Sequence, residues 1–531
     1  MCGILALLSS GQVSEQAIRT CKEEFNKVRM RGPDDTQYRK ITPNIFFGFH
    51  RLSIVGLTPS GNQPMTNPQY PNTVLICNGE IYNYRELANQ HNFHLTTGSD
   101  CEIIIHMYHK FGIKETTQQL DGVFAFVIHD GDTDRTFVGR DPIGVRSLYL
   151  GTSPDNSIYL CSEMKGIHAF CTDIKPFPPG HYWERKSQLF QRYYNQVYPP
   201  INDSENEIMC NIRTLLTASV KKRLMSDRPI GCLLSGGLDS SLITALVAQH
   251  VPKGTLHTFS VGLPGSPDLH YAKMVADHLG TIHHEIMLTN QELLDHVEPC
   301  IYQIESFDTT TVRASTPMFK MCQKIKQTTD ITVIFSGEGS DEASGSYMYF
   351  HNAPTAEAFQ TECLRLMNDL QYFDVLRCDK STAGAGLEVR VPFLDKAFLQ
   401  YYMSINPELK LPRNGIEKYL LRKSFDGLSL LPRDVLWRMK EGMSDGVSSH
   451  SKSWYEIIQD NVDNSMTDAM FQEKSATFSS NPPASKEAMY FRSIFQKHYG
   501  GRDAVIPYYW LPRWCGNVSE PSARILNVYK K

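Results

Sequence analysis

A thiol stands second in the chain, in Met1-Cys2-Gly3-Ile4. Removal of Met1 would leave Cys2 a free α-amine, whose ordinary pKa of about 7.7–8.0 suits it to act as base for its own thiol. Downstream come Arg31-Gly32-Pro33-Asp34, His50-Arg51-Leu52-Ser53-Ile54-Val55, Cys77-Asn78-Gly79-Glu80-Ile81-Tyr82-Asn83 and Gly98-Ser99-Asp100. A thiolate that attacks a carboxamide creates an oxyanion, which needs donors already aimed at it. Taken singly, these residues have plainer readings. Asn78-Gly79 reads as a hairpin turn, Arg51 as a surface ion pair and Asp100 as a helix N-cap.

A second group suits phosphate. Gly231-Cys232-Leu233-Leu234-Ser235-Gly236-Gly237-Leu238-Asp239-Ser240-Ser241 has the order of a strand, a glycine loop and a helix start. Gly236 and Gly237 allow close backbone approach, Ser235, Ser240 and Ser241 add hydroxyls, and a helix N-terminus brings unpaired N–H groups. The Gly-Lys-Ser/Thr ending of a Walker A loop is absent. Ile331–Phe335 followed by Ser336-Gly337-Glu338-Gly339-Ser340-Asp341-Glu342 repeats the design. Parallel strands present their C-terminal ends to one crevice, so Asp239 and Asp341 are expected to converge on Mg²⁺, which takes one or two carboxylates beside phosphate oxygens and water.

The elements that position these residues fall into two rhythms. Up to about residue 195, short β-branched and aromatic runs read as strands: Ile4–Leu8, Ile45–Phe49, Thr73–Cys77, Val123–Ile128, Thr136–Val138 and Ser147–Leu150. Helical periodicity covers Ser14–Val28, with Ser14 as N-cap, and Asp100–Lys110. This predicts an α+β layered domain over 1–195. The polar, Pro199-Pro200-bearing stretch 191–207 marks a boundary. From 206 to 531 a helix near Glu205–Leu224 precedes strands at Ile230–Leu234, Leu256–Val261, His284–Leu288 and Ile331–Phe335 with helices between. That is an α/β doubly wound parallel sheet, with additional helices from about 354 onward.

Composition excludes several classes. The 531 residues exceed the roughly 250–300 at which single cores stop growing. A net charge of −4 speaks against nucleic acid or anionic membrane as partner, and Lys221-Lys222-Arg223 reads as a solvated helix face. Thirteen cysteines without a C-x-x-C pair predict reduced thiols, neither a zinc ribbon nor a disulfide framework. No export signal or run of about 18 apolar residues is evident, so the expected location is cytoplasmic and the Asn517-Val518-Ser519 glycosylation pattern is read as chance.

The motifs following Cys2 resemble class II (N-terminal nucleophile) glutamine amidotransferases over nearly all of the first 190 residues. The resemblance implies an Ntn-hydrolase αββα sandwich and a cysteinyl thioester at Cys2. The oxyanion donors would be the Asn78 side chain and the Gly79 N–H. Glutamine would be held by Arg51 on its α-carboxylate, by Asp100 and Glu80 on its α-ammonium, and along Leu52, Ser53, Ile54 and Val55. Ser-Gly-Gly-x-Asp-Ser resembles the PP-loop of ATP pyrophosphatases.

Those motifs together with Phe259-Ser260-Val261-Gly262, Thr310–Ser315, Leu387–Asp395 and Lys440-Glu441-Gly442-Met443-Ser444-Asp445-Gly446 are similar to the glutamine-hydrolysing asparagine synthetase family across both domains. By that likeness Leu233, Val261, Ser336 and Gly337 would contact adenine and ribose, and Glu338 would act on an aspartyl-adenylate. Lys440 would steady phosphates or developing charge. Substrates would be glutamine, aspartate and ATP, with an enclosed ammonia passage and a homodimer implied. Four residues depart from common members: Met30 replaces a histidine, and Met439 and Gly442-Met443 differ around Lys440. Two other readings remain at this stage: a ligase amidating a different acid, and an inactive descendant, whose mark would be loss of nucleophile or phosphate-loop residues.

Overall fold

The computed structural model describes residues 1–516 and 518–526, so the Asn517 glycosylation pattern lies outside the described residues. The chain divides into two compact units. The first comprises Met1–Gln196 with Met225–Arg228 and Thr382–Glu388; the second comprises Val197–Leu224, Pro229–Ser381 and Val389–Lys531.

The first unit holds two antiparallel sheets of six strands. Its strands are β1 (Gly3–Leu8), β2 (Asp35–Thr42), β3 (Ile45–Arg51), β4 (Met65–Asn67), β5 (Tyr70–Ile81), β6 (Gly122–Asp130), β7 (Arg135–Arg140), β8 (Tyr149–Thr152), β9 (Ile158–Cys161), β10 (Asp173–Pro176), β11 (His181–Glu184) and β12 (Phe190–Arg192). Their orders are β10-β8-β9-β1-β3-β2 and β12-β11-β7-β6-β5-β4. Alternation along the strands makes two cores. Ile4, Ala6, Phe47 and Phe49 meet Val74, Ile76, Ala125 and Val127 in one cluster joining both sheets. Leu75, Cys77, Phe124 and Phe126, on the other face of β5 and β6, pack with helix residues such as Leu87, Ile103 and Met107.

The helices are α1 (Glu15–Phe25), α2 (Tyr84–His91) and α3 (Ile103–Gln119). Ser14 caps α1 by accepting from the Ala17 N–H. Asp100 does not cap a helix: it lies in the 3₁₀ turn Asp100–Glu102 and accepts the Ile81 N–H at 2.6 Å. Asn78-Gly79 is no turn either, because both residues lie inside β5, paired with β6 from Thr73–Asp130 to Ile81–Gly122. Nine consecutive pairs outweigh a two-residue turn preference.

The second unit is built on a five-stranded sheet. After α4 (Glu205–Lys222), opened by a Ser204/Glu207 capping box, come β13 (Ile230–Leu233), α5 (Leu238–Ala248), β14 (His257–Gly262), α6 (Pro267–Leu279), β15 (Ile282–Met287), β16 (Val333–Phe335) and β17 (Glu388–Arg390). The order is β15-β14-β13-β16-β17, with β13, β14, β15 and β16 parallel. Lys221-Lys222-Arg223 is not the solvated face its charge suggests. Arg223 is buried, and both it and Lys222 pair with the buried Asp395. Among the described residues no helix is long and apolar enough to cross a membrane, and all thirteen cysteines are free thiols.

Candidate functional site: a buried cysteine and a phosphate-loop cavity

β1 delivers Cys2 to the start of the inter-sheet core. The Leu52 N–H points at its Sγ from 3.5 Å, and its own backbone N–H donates to Asn78 Oδ1 at 2.9 Å. Asn78 is fully buried on β5, and its amide Nδ2 has no hydrogen-bond partner among the described residues. An unpaired buried donor is costly, so this amide is held ready for an acceptor that arrives from outside. Burial pushes the Cys2 thiol up to about 11 while Met1 is attached, with the nearby terminal ammonium opposing it. The Met1 amine is itself buried, lowered by desolvation to about 6 although Glu388 lies 3.8 Å away.

The motifs around Cys2 mainly hold one another. Arg31 donates from Nε to the Cys2 carbonyl at 2.9 Å and pairs with the buried Glu163. Gly32 admits no side chain, since a Cβ there would sit 2.2 Å from the His50 carbonyl oxygen. Asp34 accepts the Ser53 N–H at 2.8 Å, while Asp227 accepts the Gly56 N–H and donates its own N–H to the Ile54 carbonyl. The segment Leu52-Ser53-Ile54-Val55 is thus pinned beside the thiol.

Arg51 is buried, but its two Nη groups donate to the carbonyls of Gly56 and Thr58 and to Asn62. It thereby braces the loop after Val55. Asp100 and Glu80 are both buried. Glu102, which the motif did not single out, accepts the N–H and hydroxyl groups of Thr96 and Thr97 and so shapes the approach to Asp100. Burial pushes its carboxyl up, but His106 and these donors hold it well below the usual range. Met30 is half exposed, so the departure there costs no core packing.

In the second unit, β13 runs into Ser235-Gly236-Gly237 and α5 begins immediately after, its first turn pointing N–H groups at a cavity. Leu233, Ser235, Gly237, Asp239, Ser240, Val261, Ser336, Gly337, Glu338, Asp341 and Lys440 all line it. Gly236 does not. Its φ is +71°, and a Cβ would strike Tyr271 and Ala272 of α6 at 2.4–2.5 Å, so close helix packing demands that glycine. Gly337 lets the second loop touch the first: a Cβ there would lie 2.7 Å from the Asp239 backbone.

Two carboxylates converge inside. Lys418 Nζ lies 2.6 Å from Asp239 Oδ2 and 2.5 Å from Asp341 Oδ1, and Lys440 Nζ lies 2.6 Å from Asp341 Oδ2. Lys440 is therefore no plain surface lysine. Burial pushes the Asp341 carboxyl up, yet the two ammonium groups hold it well below the usual range. Burial lowers Lys440, but Asp341 and Asp239 more than reverse this. Glu338 is raised by burial and partly restored by Arg377, 2.7 Å away, which also pairs with Asp374 at 2.9 Å.

Sequence reasoning missed Lys418, Arg377 and Arg438. Only Arg438 adjoins a recognisable motif, two residues before Lys440.

The chain matches the family model for asparagine synthase over residues 211–359 and 351–515, and that for a glutamine amidotransferase domain over residues 1–202. It is 42% identical over 564 residues to the Gallus gallus asparagine synthetase [glutamine-hydrolyzing], covering 100% of this chain and 99% of that one. The chain belongs to the glutamine-hydrolysing asparagine synthetase family. The Homo sapiens member is 41% identical over 563 residues, again spanning 100% of this chain and 99% of its own. The candidates whose loss would mark an inactive descendant, Cys2 and the residues of Ser235–Ser241, are all present in this member of the family.

Proposed function

We propose that the chain makes asparagine from aspartate and ATP with nitrogen taken from glutamine, by a cysteinyl thioester and a β-aspartyl-AMP. The reading rests above all on one observation in the second unit: two strand-loop turns bring Asp239 and Asp341 to within 2.6 Å of one ammonium beside the cavity.

In the first half-reaction the Cys2 thiolate adds to the glutamine carboxamide carbon. Asn78 Nδ2, buried and without a partner among the described residues, and the Gly79 N–H take the oxyanion. The C–N bond breaks, ammonia leaves with a proton from the Cys2 ammonium, and water hydrolyses the thioester to glutamate. Arg51 turns from its loop carbonyls to the α-carboxylate, Asp100 and Glu80 receive the α-ammonium, and Leu52, Ser53, Ile54 and Val55 line the substrate. The layered reading of this unit is the Ntn-hydrolase αββα sandwich, supported by the two cores on either face of β5 and β6. Asn78→Ala is expected to lower glutaminase kcat by roughly 10²–10³-fold with little change in KM, read by glutamate release. An unchanged kcat would remove the amide from the oxyanion's surroundings.

In the second half-reaction, residues 206–531 form the ATP-binding domain. Leu233, Val261, Ser336 and Gly337 bind adenosine, and Ser235, Gly237 and Ser240 take phosphate oxygens at the α5 N-terminus. The aspartate β-carboxylate displaces pyrophosphate from the α-phosphorus. Ammonia then attacks the acyl carbon, and AMP leaves. Arg377, a buried cation, suits the aspartate α-carboxylate, and Asp374 beside it suits the α-ammonium.

Asp239 and Asp341 both reach the Lys418 ammonium, and as two neighbouring carboxylates they fit a Mg²⁺ that arrives with the nucleotide, phosphate oxygens and water completing its oxygen shell. Asp239 and Asp341 would hold it, and it would supply charge neutralisation on the phosphates. Lys440 moves from Asp341 towards the phosphates as they enter, and Glu338, on the wall of the same cavity, acts on the adenylate.

Pyrophosphate release with Mg-ATP and glutamine is expected only when aspartate is present, with amide ¹⁵N from glutamine appearing in asparagine. Release independent of aspartate would favour a ligase acting on another acid, and unlabelled asparagine would exclude glutamine as the nitrogen donor.

A further inference from the structure

Lys440 sits on a stretch with no regular structure, between the short helices Arg433–Leu436 and Met443–Gly446. Met439 beside it is half exposed. Nothing in its backbone pairing holds the lysine at the cavity, so side chains must. The ties come from the far end of the chain. Arg524 donates from Nε and Nη2 to Glu441 Oε1 at 3.2 and 2.6 Å, and from Nη1 to the Ser449 carbonyl and Ser453 Oγ at 2.8 and 2.9 Å. Ser522 Oγ and the Ala523 N–H both donate to Asp445, at 2.7 and 3.2 Å. Glu520 is anchored in turn by the buried Arg313.

Glu441 passes the constraint inward. Its other oxygen accepts from Arg438 Nη2 at 3.2 Å, and the same nitrogen donates to Asp268 Oδ1 at 2.8 Å, while the guanidinium lies over the Tyr271 ring. Charges therefore alternate along Asp268, Arg438, Glu441 and Arg524. The two residues of the loop in this chain, Arg438 and Glu441, flank Lys440. Arg524 and Glu441 are each about nine-tenths buried, so these contacts are poorly screened by solvent. A planar, two-pronged donor such as arginine fixes orientation as well as distance.

We propose that Glu520–Arg524 is a strap that holds the Lys440 loop at the cavity, with Arg524 as a positioning residue for adenylation. The proposal rests on the functional reading above and deepens it. Arg524 does not line the cavity. It acts through Glu441, keeping Lys440 within reach of Asp341 and of the phosphates that enter beside it.

The test uses aspartate-dependent exchange of labelled pyrophosphate into ATP by the full chain. Arg524→Ala should lower the exchange kcat by roughly a hundredfold, with KM for ATP and the glutaminase reaction little changed. Glu441→Gln, which preserves shape, should give the same loss. The double variant should fall no further than the worse single one, because both remove one interaction. Arg524→Lys should recover only part of the rate, since lysine lacks the fork. A lowered melting temperature with kcat per folded enzyme unchanged would overturn the proposal, as would wild-type exchange in Glu441→Gln. Absence of aspartate-dependent exchange in the wild-type chain would instead strike the adenylation reading itself.

Discussion

Cys2→Ala is expected to lower glutamine-dependent asparagine formation by at least about 10⁴-fold while ammonium-dependent formation continues at the wild-type rate. The split follows from the separate homes of the two chemistries: the thiol belongs to the first unit and the phosphate-loop cavity to the second. Product assays with glutamine or ammonium chloride as nitrogen donor read it directly. Loss of both activities would mean that the cysteine supports the fold and not the first step. Processing sharpens the test. With Met1 in place the Cys2 nitrogen is a peptide N–H, which cannot accept a proton, and the thiol is held up at about 11. Glutaminase activity should therefore track the fraction of molecules lacking Met1 by intact mass.

The second large effect concerns Lys418. Its ammonium is buried between Asp239 and Asp341, and it adopts a left-handed backbone (φ +54°), uncommon for a residue with a side chain. Lys418→Met leaves two nearly buried carboxylates facing each other, with Lys440 and the Ser340 and Ser346 hydroxyls to compensate. Breaking a buried pair on one side costs about 3 kcal/mol, to be read as a lower melting temperature. Aspartate-dependent pyrophosphate release should fall by at least about 10²-fold. Added Mg²⁺ should recover part of the stability by binding the folded form. A variant as stable as the parent, or one whose melting temperature ignores Mg²⁺, would contradict the shared-charge account of this site.

Much of the strand pattern was legible because apolar alternation reports a buried face directly. Ile4–Leu8, Ile45–Phe49 and Val123–Ile128 each fall within observed strands. Asp35–Thr42 was not found, since β2 is an edge strand with no buried residue and a polar sequence. Asn78-Gly79 carried a turn signature that long-range pairing with β6 overrode. Arg223 looked like surface charge because its partner, Asp395, is 172 residues away. The same blindness hid Lys418, whose partners lie 179 and 77 residues off. Local residue types reveal glycine loops and caps; a buried ion pair closes only in space. Gly236 carries a second demand that its motif did not reveal, since a neighbouring helix leaves no room there for a side chain.

β5 alternates its two faces along its length, Ile76 turned to the inter-sheet core and Cys77 to the helix side, with Asn78 meeting Cys2. Adding or deleting one residue between Thr73 and Asn78 would swap odd for even and carry the amide to the wrong side of the sheet. Length variation in such a strand is tolerable only in steps of two.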